Sequence, residues 1–425
     1  MLYLGLLASF VLEYVRPGTY VPLVMVLKLN TIVPLLTFVG AVLTTVPKSV
    51  NADVLAHRNS RWFAFFLCLL GIAILHADVT FNAVETFKTV VGYLFLAFMV
   101  AKLIDSNDKF TLFVFVLALS HLALVVLNPN VVLQPETRSY IAGVTFLGDG
   151  NDFALSLVVL LPLCVYVLID ASNKFYKMVM LAVVGTLLLA VIGTSSRGAS
   201  LGLAAVLLYM WWRGRRKGLG LLAIGAVVTA VMFYAPPEYF GRLETLRSYQ
   251  EEGSAQGRIM AWKSAVRMAN DHPITGVGTG HFPIKLGTEY RPPEYGDQNL
   301  PWLTAHSIYF LVLGELGYPG IFFLLGVLYV NYRAGERILR RVRMCDVPLA
   351  RRYERLFLCL NGSLIGYAVA GAFLSALYYP HLYVISGIFI AAELMYRRDE
   401  ATLFPAAGEA TGEYPQVGQP AWAKE

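Results

Sequence analysis

The sequence predicts an all-α integral membrane protein with about twelve transmembrane helices. The chain has 425 residues, of which 57% are hydrophobic and 15% are charged. Its mean hydropathy is +0.60. This composition is too apolar for an ordinary water-soluble domain. Apolar runs of roughly 20 residues, the length that a helix needs to cross a bilayer, recur along the chain between charged or turn residues.

Twelve runs fit this description, although the first and the eighth are short. They centre on residues 2–15, 29–46, 62–78, 84–104, 110–127, 152–171, 178–194, 199–212, 218–234, 307–331, 357–378 and 381–396. The first run lacks a basic leading segment and a small-residue cleavage site, so we expect a retained span rather than a signal peptide.

The spacing of these runs divides the chain into four parts. Residues 1–234 hold the first nine spans, residues 235–306 form a large, partly helical loop, and residues 307–396 hold the last three spans. Residues 397–425 are rich in Pro, Gly and Glu without apolar periodicity, which predicts a disordered tail.

The distribution of basic residues predicts the orientation. Lys and Arg in short loops are retained on the cytoplasmic side. Most of the 34 Lys and Arg residues fall in the loops that are cytoplasmic if the N-terminus is inside, including eight arginines between Arg333 and Arg355. Both termini are then cytoplasmic, and residues 235–306 face outward, which in a bacterium means the periplasm or the exterior.

The net charge of +6 does not indicate a nucleic-acid partner, because the basic residues lie in short clusters between apolar runs. The basic stretch from Tyr332 to Arg355 contains interleaved apolar residues, which favours contact with anionic membrane lipids. The four cysteines show no metal-ligand spacing, so neither a metal nor another cofactor is expected.

Arg197 lies in the turn Ser196-Arg197-Gly198 between spans seven and eight. An interfacial arginine can reach lipid headgroups or cap a helix end. The alternative is a cation that faces a cavity and binds an anionic headgroup, because a guanidinium fork matches two phosphate oxygens.

Arg258 lies in the large loop, at the start of a predicted helix that runs from Gln256 to Ala269. Ile259, Trp262, Val266 and Ala269 form one apolar stripe at helical spacing. A cation in the first turn is disfavoured by the helix dipole, which favours an anion bound nearby. The alternative is a solvated arginine beside Glu251 or Glu252.

The segment that follows contains Gly276, Gly278 and Gly280. Closely spaced glycines can cradle a phosphate, but without a preceding strand and a following Rossmann helix the pattern favours a plain turn. His272 and His281 are possible acid–base groups, for which exposed loop positions are favoured.

His306 precedes the apolar run of span ten, so its imidazole is expected at the membrane rim. Neutral imidazole can accept a hydroxyl proton near neutral pH, which makes His306 a candidate general base; the alternative is an interfacial histidine hydrogen-bonded to backbone. Glu315 is nine residues further on and is expected to be a structural partner within the bundle.

The order of these motifs resembles the O-antigen ligase and O-antigen polymerase superfamily. The resemblance covers the span count, the loop between spans nine and ten, Ser196-Arg197-Gly198, Gly257-Arg258 with Trp262, Pro273-Ile-Thr-Gly276-Val-Gly278, and His306-Ser-Ile-Tyr309 with Glu315-Leu-Gly317. It implies a metal-independent transfer of O-antigen polysaccharide from undecaprenyl pyrophosphate to the lipid A-core, on the periplasmic side of the bacterial inner membrane.

The resemblance also implies roles for individual residues. Arg197 and Arg258 would bind the pyrophosphate and His306 would deprotonate the acceptor, with Trp262 and Tyr309 as further substrate-binding candidates. An O-antigen polymerase or a protein O-oligosaccharyltransferase would use the same donor chemistry. A polyprenyl-lipid or solute transporter is an alternative of a different class.

Overall fold

The protein is helical throughout the part that the computed structural model describes, which comprises residues 1–44, 48–134, 141, 146–235, 253–291 and 303–404. Two short 3₁₀ turns, Pro17–Thr19 and Ala376–Tyr378, accompany the α-helices. The α-helices are α1 Leu2–Tyr14, α2 Pro22–Val26, α3 Leu29–Leu43, α4 Lys48–Ala56, α5 Arg58–Leu75, α6 Thr80–Leu103, α7 Asn107–Leu127, α8 Asn130–Leu133, α9 Gly150–Asp170, α10 Lys174–Gly193, α11 Arg197–Arg213, α12 Lys217–Tyr234, α13 Gly253–Asp271, α14 Phe282–Gly287, α15 Ile308–Val342, α16 Pro348–Gly371 and α17 Pro380–Leu403.

Each predicted span coincides with one of these helices. Seven of them, α5, α6, α7, α9, α10, α12 and α15, are long and apolar enough to cross a membrane. Helices α1 and α3 are apolar but shorter. The protein is therefore a multi-pass membrane protein, while the number of twelve spans stays a prediction.

Several predicted boundaries differ from the helices. Helix α15 continues to Val342, beyond the predicted limit at residue 331, and α16 begins at Pro348 rather than at residue 357. The eleventh span was placed at residues 357–378, but α16 ends at Gly371, and a loop with a 3₁₀ turn leads to α17. Helix α17 continues to Leu403, beyond the predicted limit at residue 396. Residues 405–425 of the predicted tail lie outside the described residues.

Helix α16 lies at the centre of the bundle, against α9, α11, α15 and α17. Small residues let α11 and α16 approach closely, as membrane helices do where the backbones pack. A Cβ atom added to Gly202 would lie 2.9 Å from the Cβ of Ala370 and 3.2 Å from the carbonyl oxygen of Gly366. This packing fixes the start of α11, and with it Arg197.

The two ends of the bundle differ in charge. At one end, Arg355 pairs with Asp170 at 2.6 Å, and both Arg215 and Arg343 pair with Glu354 at 2.9 Å. The basic clusters predicted to share one side of the membrane therefore meet at one end of the bundle. The starts of α9, α11, α15 and α17 and the end of α16 meet at the opposite end, around one cavity.

Helix α15 is broken at Gly317, which has φ 63° and ψ −157°. Pro319 has no N–H to donate to the carbonyl of Glu315. The turn of residues 273–280, here called the glycine turn, supplies the missing donors. Val277 N donates to Gly314 O and Gly278 N donates to Glu315 O, each at 3.0 Å. Buried backbone groups in a membrane need such partners, so the break and the turn belong together.

The glycines of this turn have a steric role. Gly276, Gly278 and Gly280 all have positive φ, and a Cβ on Gly276 would lie 2.3 Å from the backbone carbon of Glu315. The favoured interpretation as a turn is confirmed, because the N–H groups of Val277 and Gly278 bind helix carbonyls.

Gly317→Ala should lower the melting temperature of the protein in detergent micelles. Its conformation lies in a region that only glycine adopts readily, which costs other residues about 1–3 kcal/mol. The added Cβ would also lie 2.5 Å from the carbonyl oxygen of Pro273. Gly92→Ala is the matched control, because the space around that helical glycine is open. A melting temperature of Gly317→Ala equal to that of Gly92→Ala would contradict the steric argument.

Candidate functional site

A cavity of about 930 Å³ opens where the helix ends converge. Its lining comes from the starts of α9 and α11, from α13, from the glycine turn, from both sides of the start of α15, and from the α16–α17 connection. The lining residues that the argument uses are Asp149, Asp152, Ser195, Ser196, Arg197, Arg258, Gly280, Thr304, His306, Glu315, Ser375, Tyr378 and Tyr379.

Three residues predicted from distant parts of the sequence line this cavity together. Arg197 comes from the start of α11, Arg258 from the loop helix α13, and His306 from the residues just before α15. Trp262 and Tyr309, predicted as substrate-binding residues, do not line it. The positions of these two side chains indicate a supporting function, described below.

Arg197 is the first residue of α11, and Ser196 caps this helix by accepting a hydrogen bond from Ala199 N at 3.4 Å. Ser195 beside it has φ 51°, an uncommon value for a residue with a side chain. The start of α9 faces the same cavity and is capped by Asp149. The partial positive charge of the α11 start and the guanidinium of Arg197 both favour a bound anion.

Arg258 lies in the second turn of its helix, because α13 starts at Gly253 rather than near Gln256. The prediction that placed it in the first turn was therefore wrong, and the argument from the helix dipole does not apply to Arg258. Glu251 and Glu252, the alternative partners, lie outside the described residues. Its place in the cavity wall supports the anion-binding interpretation.

The buried face of α13 also differs from the predicted stripe. Val266 is 40% exposed, whereas the buried positions, apart from Ala269, follow a neighbouring line along the helix. These positions are Met260, Ala261, Ser264, Ala265, Met268 and Ala269. The stripe was therefore right at Ala269 and wrong at Val266, because small residues, which carry little hydrophobic signal, let α13 pack closely against α15.

His306 is held in a left-handed conformation with φ 46°. The backbone N–H of His306 donates to Ser375 Oγ at 2.9 Å, and Ser375 Oγ donates to Thr304 Oγ1 at 3.0 Å. Strained backbone of this kind persists where the surroundings enforce it, and it is frequent at functional sites. The α16–α17 connection thus fixes the backbone that carries the imidazole.

Trp262 and Tyr309 fix the same segment from outside the cavity. Trp262 Nε1 donates to the carbonyl of Ala305 at 2.9 Å, and its ring stacks on Phe310 with centroids 5.0 Å apart. Tyr309 Oη donates to the carbonyl of Ala368 at 2.9 Å. Both side chains therefore position the chain next to His306.

Glu315 is a buried carboxylate at the cavity wall, with 1% of its surface exposed. Its Oε1 accepts from Phe282 N at 3.1 Å and its Oε2 accepts from Tyr378 Oη at 2.7 Å. These contacts match the expected structural function, because they connect α15 to the start of α14 and to the α16–α17 connection.

The two loop histidines differ from each other. His272 is exposed, as favoured from the sequence. The exposed position favoured for His281 is wrong, since this residue is fully buried. Its Nε2 accepts from Val79 N at 2.8 Å, which ties the glycine turn to the α5–α6 connection.

Lys285 strengthens the same attachment. Its ammonium pairs with Asp78 at 2.6 Å, and this hydrogen bond lowers the pKa of the Asp78 carboxyl. The large loop is therefore fastened to the bundle on two sides, by the α5–α6 connection and by α15.

Several cavity residues were not predicted. Asp152 accepts from Tyr379 Oη at 3.2 Å, and both line the cavity with Ser375 and Tyr378. The three α16–α17 residues were missed because the apolar run of span eleven appeared to extend through them. Ser375 together with the Tyr-Tyr-Pro sequence before α17 was the available signal, as was the pair Asp149 and Asp152 at the start of a span.

The arrangement suits a phosphorylated ligand. Two guanidinium groups and a helix start provide positive charge beside the carboxyl groups of Asp149, Asp152 and Glu315, and an imidazole in the same lining can exchange a proton. The volume lies within the range of about 300–1,000 Å³ that is typical of ligand sites. The fold and this cavity define a multi-pass membrane protein with a large cavity, lined by charged and polar residues, at one end of its bundle.

Comparison with known proteins agrees with this description. Residues 181–325 match the family model described as O-Antigen ligase. The match extends from within α10 to the first half of α15 and includes Arg197, Arg258 and His306. It confirms the resemblance to the O-antigen ligase superfamily, whose members are glycan-transferring enzymes. No curated protein matches the chain.

Tyr378→Phe keeps the aromatic ring and removes only the hydroxyl group, and it should destabilise the protein. It removes the hydroxyl donor of buried Glu315, and leaving such a group underpartnered costs about 1–3 kcal/mol. Tyr318→Phe is the control, because its hydroxyl makes an exposed hydrogen bond to Asn270 and should contribute less than about 0.5 kcal/mol. Thermal unfolding in detergent compares the two variants, and equal stability would contradict the function given to Tyr378.

Proposed function

We propose that the protein transfers a glycan from a lipid-linked pyrophosphate donor to an acceptor hydroxyl, most specifically as the ligase that joins O-antigen to the lipid A-core. The observation that carries the proposal is the convergence of Arg197, Arg258 and His306 on one cavity. The match to the O-antigen ligase family over residues 181–325 supports the same chemistry.

In the proposed reaction, the acceptor hydroxyl oxygen attacks the anomeric carbon of the first donor sugar. A bond forms between them while the bond from that carbon to the pyrophosphate oxygen breaks. His306 takes the hydroxyl proton. Arg197 and Arg258 stabilise the negative charge that accumulates on undecaprenyl pyrophosphate as it leaves, so that these side chains supply the positive charge at the leaving group.

The cavity is proposed to face the periplasm. The arginine-rich end of the bundle lies opposite the cavity, and basic residues in short loops are retained in the cytoplasm. A lipid-linked donor could then enter from the outer leaflet of the inner membrane, with its pyrophosphate at the depth of Arg197 and its glycan in water.

The acceptor distinguishes the related activities. An O-antigen polymerase would place a second lipid-linked glycan near His306, and a protein O-oligosaccharyltransferase would place a serine or threonine there. A transporter would move the lipid or another solute without forming a glycosidic bond. Incubation of the purified protein with the undecaprenyl-linked donor and each acceptor class separates these possibilities by the product formed.

We expect the purified protein to join donor and acceptor in detergent, without an ion gradient and in the presence of EDTA. His306→Ala should lower the rate at least about 100-fold, the usual minimum for a general base. His272→Ala, a change at an exposed loop histidine, should retain the activity. Wild-type transfer by His306→Ala would exclude the general-base function, and loss of activity in EDTA would indicate a metal.

Arg197→Ala and Arg258→Ala should each lower transfer about 100-fold, the scale of removing one group that stabilises transition-state charge. Lysine at either position should restore part of the rate. Arg267→Ala is the control on α13, since that guanidinium lies over the ring of Tyr290 and does not line the cavity. Normal donor affinity and turnover in both variants would refute the pyrophosphate assignment.

A further inference from the structure

A second pocket lies at the end of the bundle opposite the cavity. Trp212, Arg213, Tyr332, Arg333, Glu336, Arg340 and Arg343 line a pocket of about 270 Å³ there. Helix α11 joins the two sites, because Arg197 is its first residue and Arg213 its last. At about 1.5 Å per residue, these two ends are about 24 Å apart.

The charges of this pocket are only partly balanced within the described part of the chain. Glu336 pairs with Arg213, and it also accepts from Tyr209 Oη at 2.8 Å. Arg343 pairs with Glu354. Arg333 and Arg340 make no ion pair with a described carboxylate, so the pocket keeps excess positive charge.

An apolar groove of about 510 Å³ adjoins the pocket and shares Trp212 and Tyr332 with it. Its other lining residues are Leu208, Tyr209, Trp211 and Ile365. Leu208 is 56% exposed and Trp212 is 65% exposed, so the groove opens on the outer surface of the bundle. Tryptophan and tyrosine side chains are enriched where a membrane meets water.

We propose that this pocket and groove bind one anionic phospholipid. Its phosphate would lie between Arg333 and Arg340, and an acyl chain would follow the groove along α11. Basic pockets between membrane helices bind anionic headgroups in this way. The joined apolar groove favours a lipid over a free phosphate ion. The inference goes beyond the proposed transferase function, because it concerns a pocket at the opposite end of the bundle.

The purified full-length chain in detergent micelles allows a direct test. Phosphatidylglycerol and phosphatidylcholine with identical acyl chains are added at equal concentration, and native mass spectrometry measures the ratio of the two bound lipids. We expect the wild-type protein to retain phosphatidylglycerol preferentially. Because each basic residue near the lipid contributes a factor of about five, Arg333→Gln with Arg340→Gln should lower that preference about 25-fold.

Arg337→Gln is the matched control, because Arg337 is an exposed arginine on the same helix that does not line the pocket. Leu208→Trp should obstruct the groove and lower phosphatidylglycerol binding several-fold. If the double variant does not fold, the single variants replace it, each with an expected loss of about fivefold.

Equal binding of the two lipids by the wild-type protein would overturn the proposal, as would an unchanged preference in the arginine variants. Soluble glycerol phosphate provides a further arm. If it displaces phosphatidylglycerol at equal concentration, the pocket is a small-anion site and the lipid assignment is wrong. Transfer activity does not enter the measurement, so failure of the transferase proposal would leave this result interpretable.

Discussion

The structure depends on how the backbone carbonyls beside the break in α15 obtain hydrogen-bond donors. A bilayer offers no water to an open carbonyl, so a helix that breaks at Gly317 must find donors within the protein. Val277 and Gly278 provide them, and the side chain of Glu315 reaches Phe282 N and Tyr378 from the same turn of helix. One interruption therefore fastens the large loop, α15 and the α16–α17 connection together, and these three elements form much of the cavity wall.

This fastening explains how a loop residue can act with membrane residues. Arg258 lies on α13, a loop helix, whereas Arg197 begins a helix within the bundle. Both residues line one cavity because α13 packs against α15, while the glycine turn binds the carbonyls beside the break. His306 is fixed by Ser375 on one side and by Trp262 through Ala305 on the other. The candidate site is thus preorganised by hydrogen bonds from side chains to the backbone of residues 305 and 306.

Local patterns in the sequence predicted the helical class, the positions of the helices and three cavity residues. Hydrophobic runs reveal helices because each run is a local property, and Arg197, Arg258 and His306 stood out because charged or titratable groups interrupt or border apolar sequence. Local patterns could not predict contacts between residues that are far apart in the sequence. Nothing near His281 indicates that its ring will accept a hydrogen bond from Val79 N, and nothing near Ser375 indicates that its hydroxyl will accept one from His306 N. The α13 stripe was misplaced because alanine and serine pack closely while contributing little to periodicity.

The two ends of the bundle use arginine differently, and the difference follows from their partners. At the basic end, Arg215, Arg343 and Arg355 pair with Glu354 or Asp170, which fixes α9, α11, α15 and α16 relative to one another. The opposite ends of the same helices surround the cavity. Helices fixed at one end and packed through Gly202 and Gly366 cannot easily splay at the other. The helices that surround the cavity are thus also joined on the far side of the bundle, where they leave Arg333 and Arg340 beside an apolar groove.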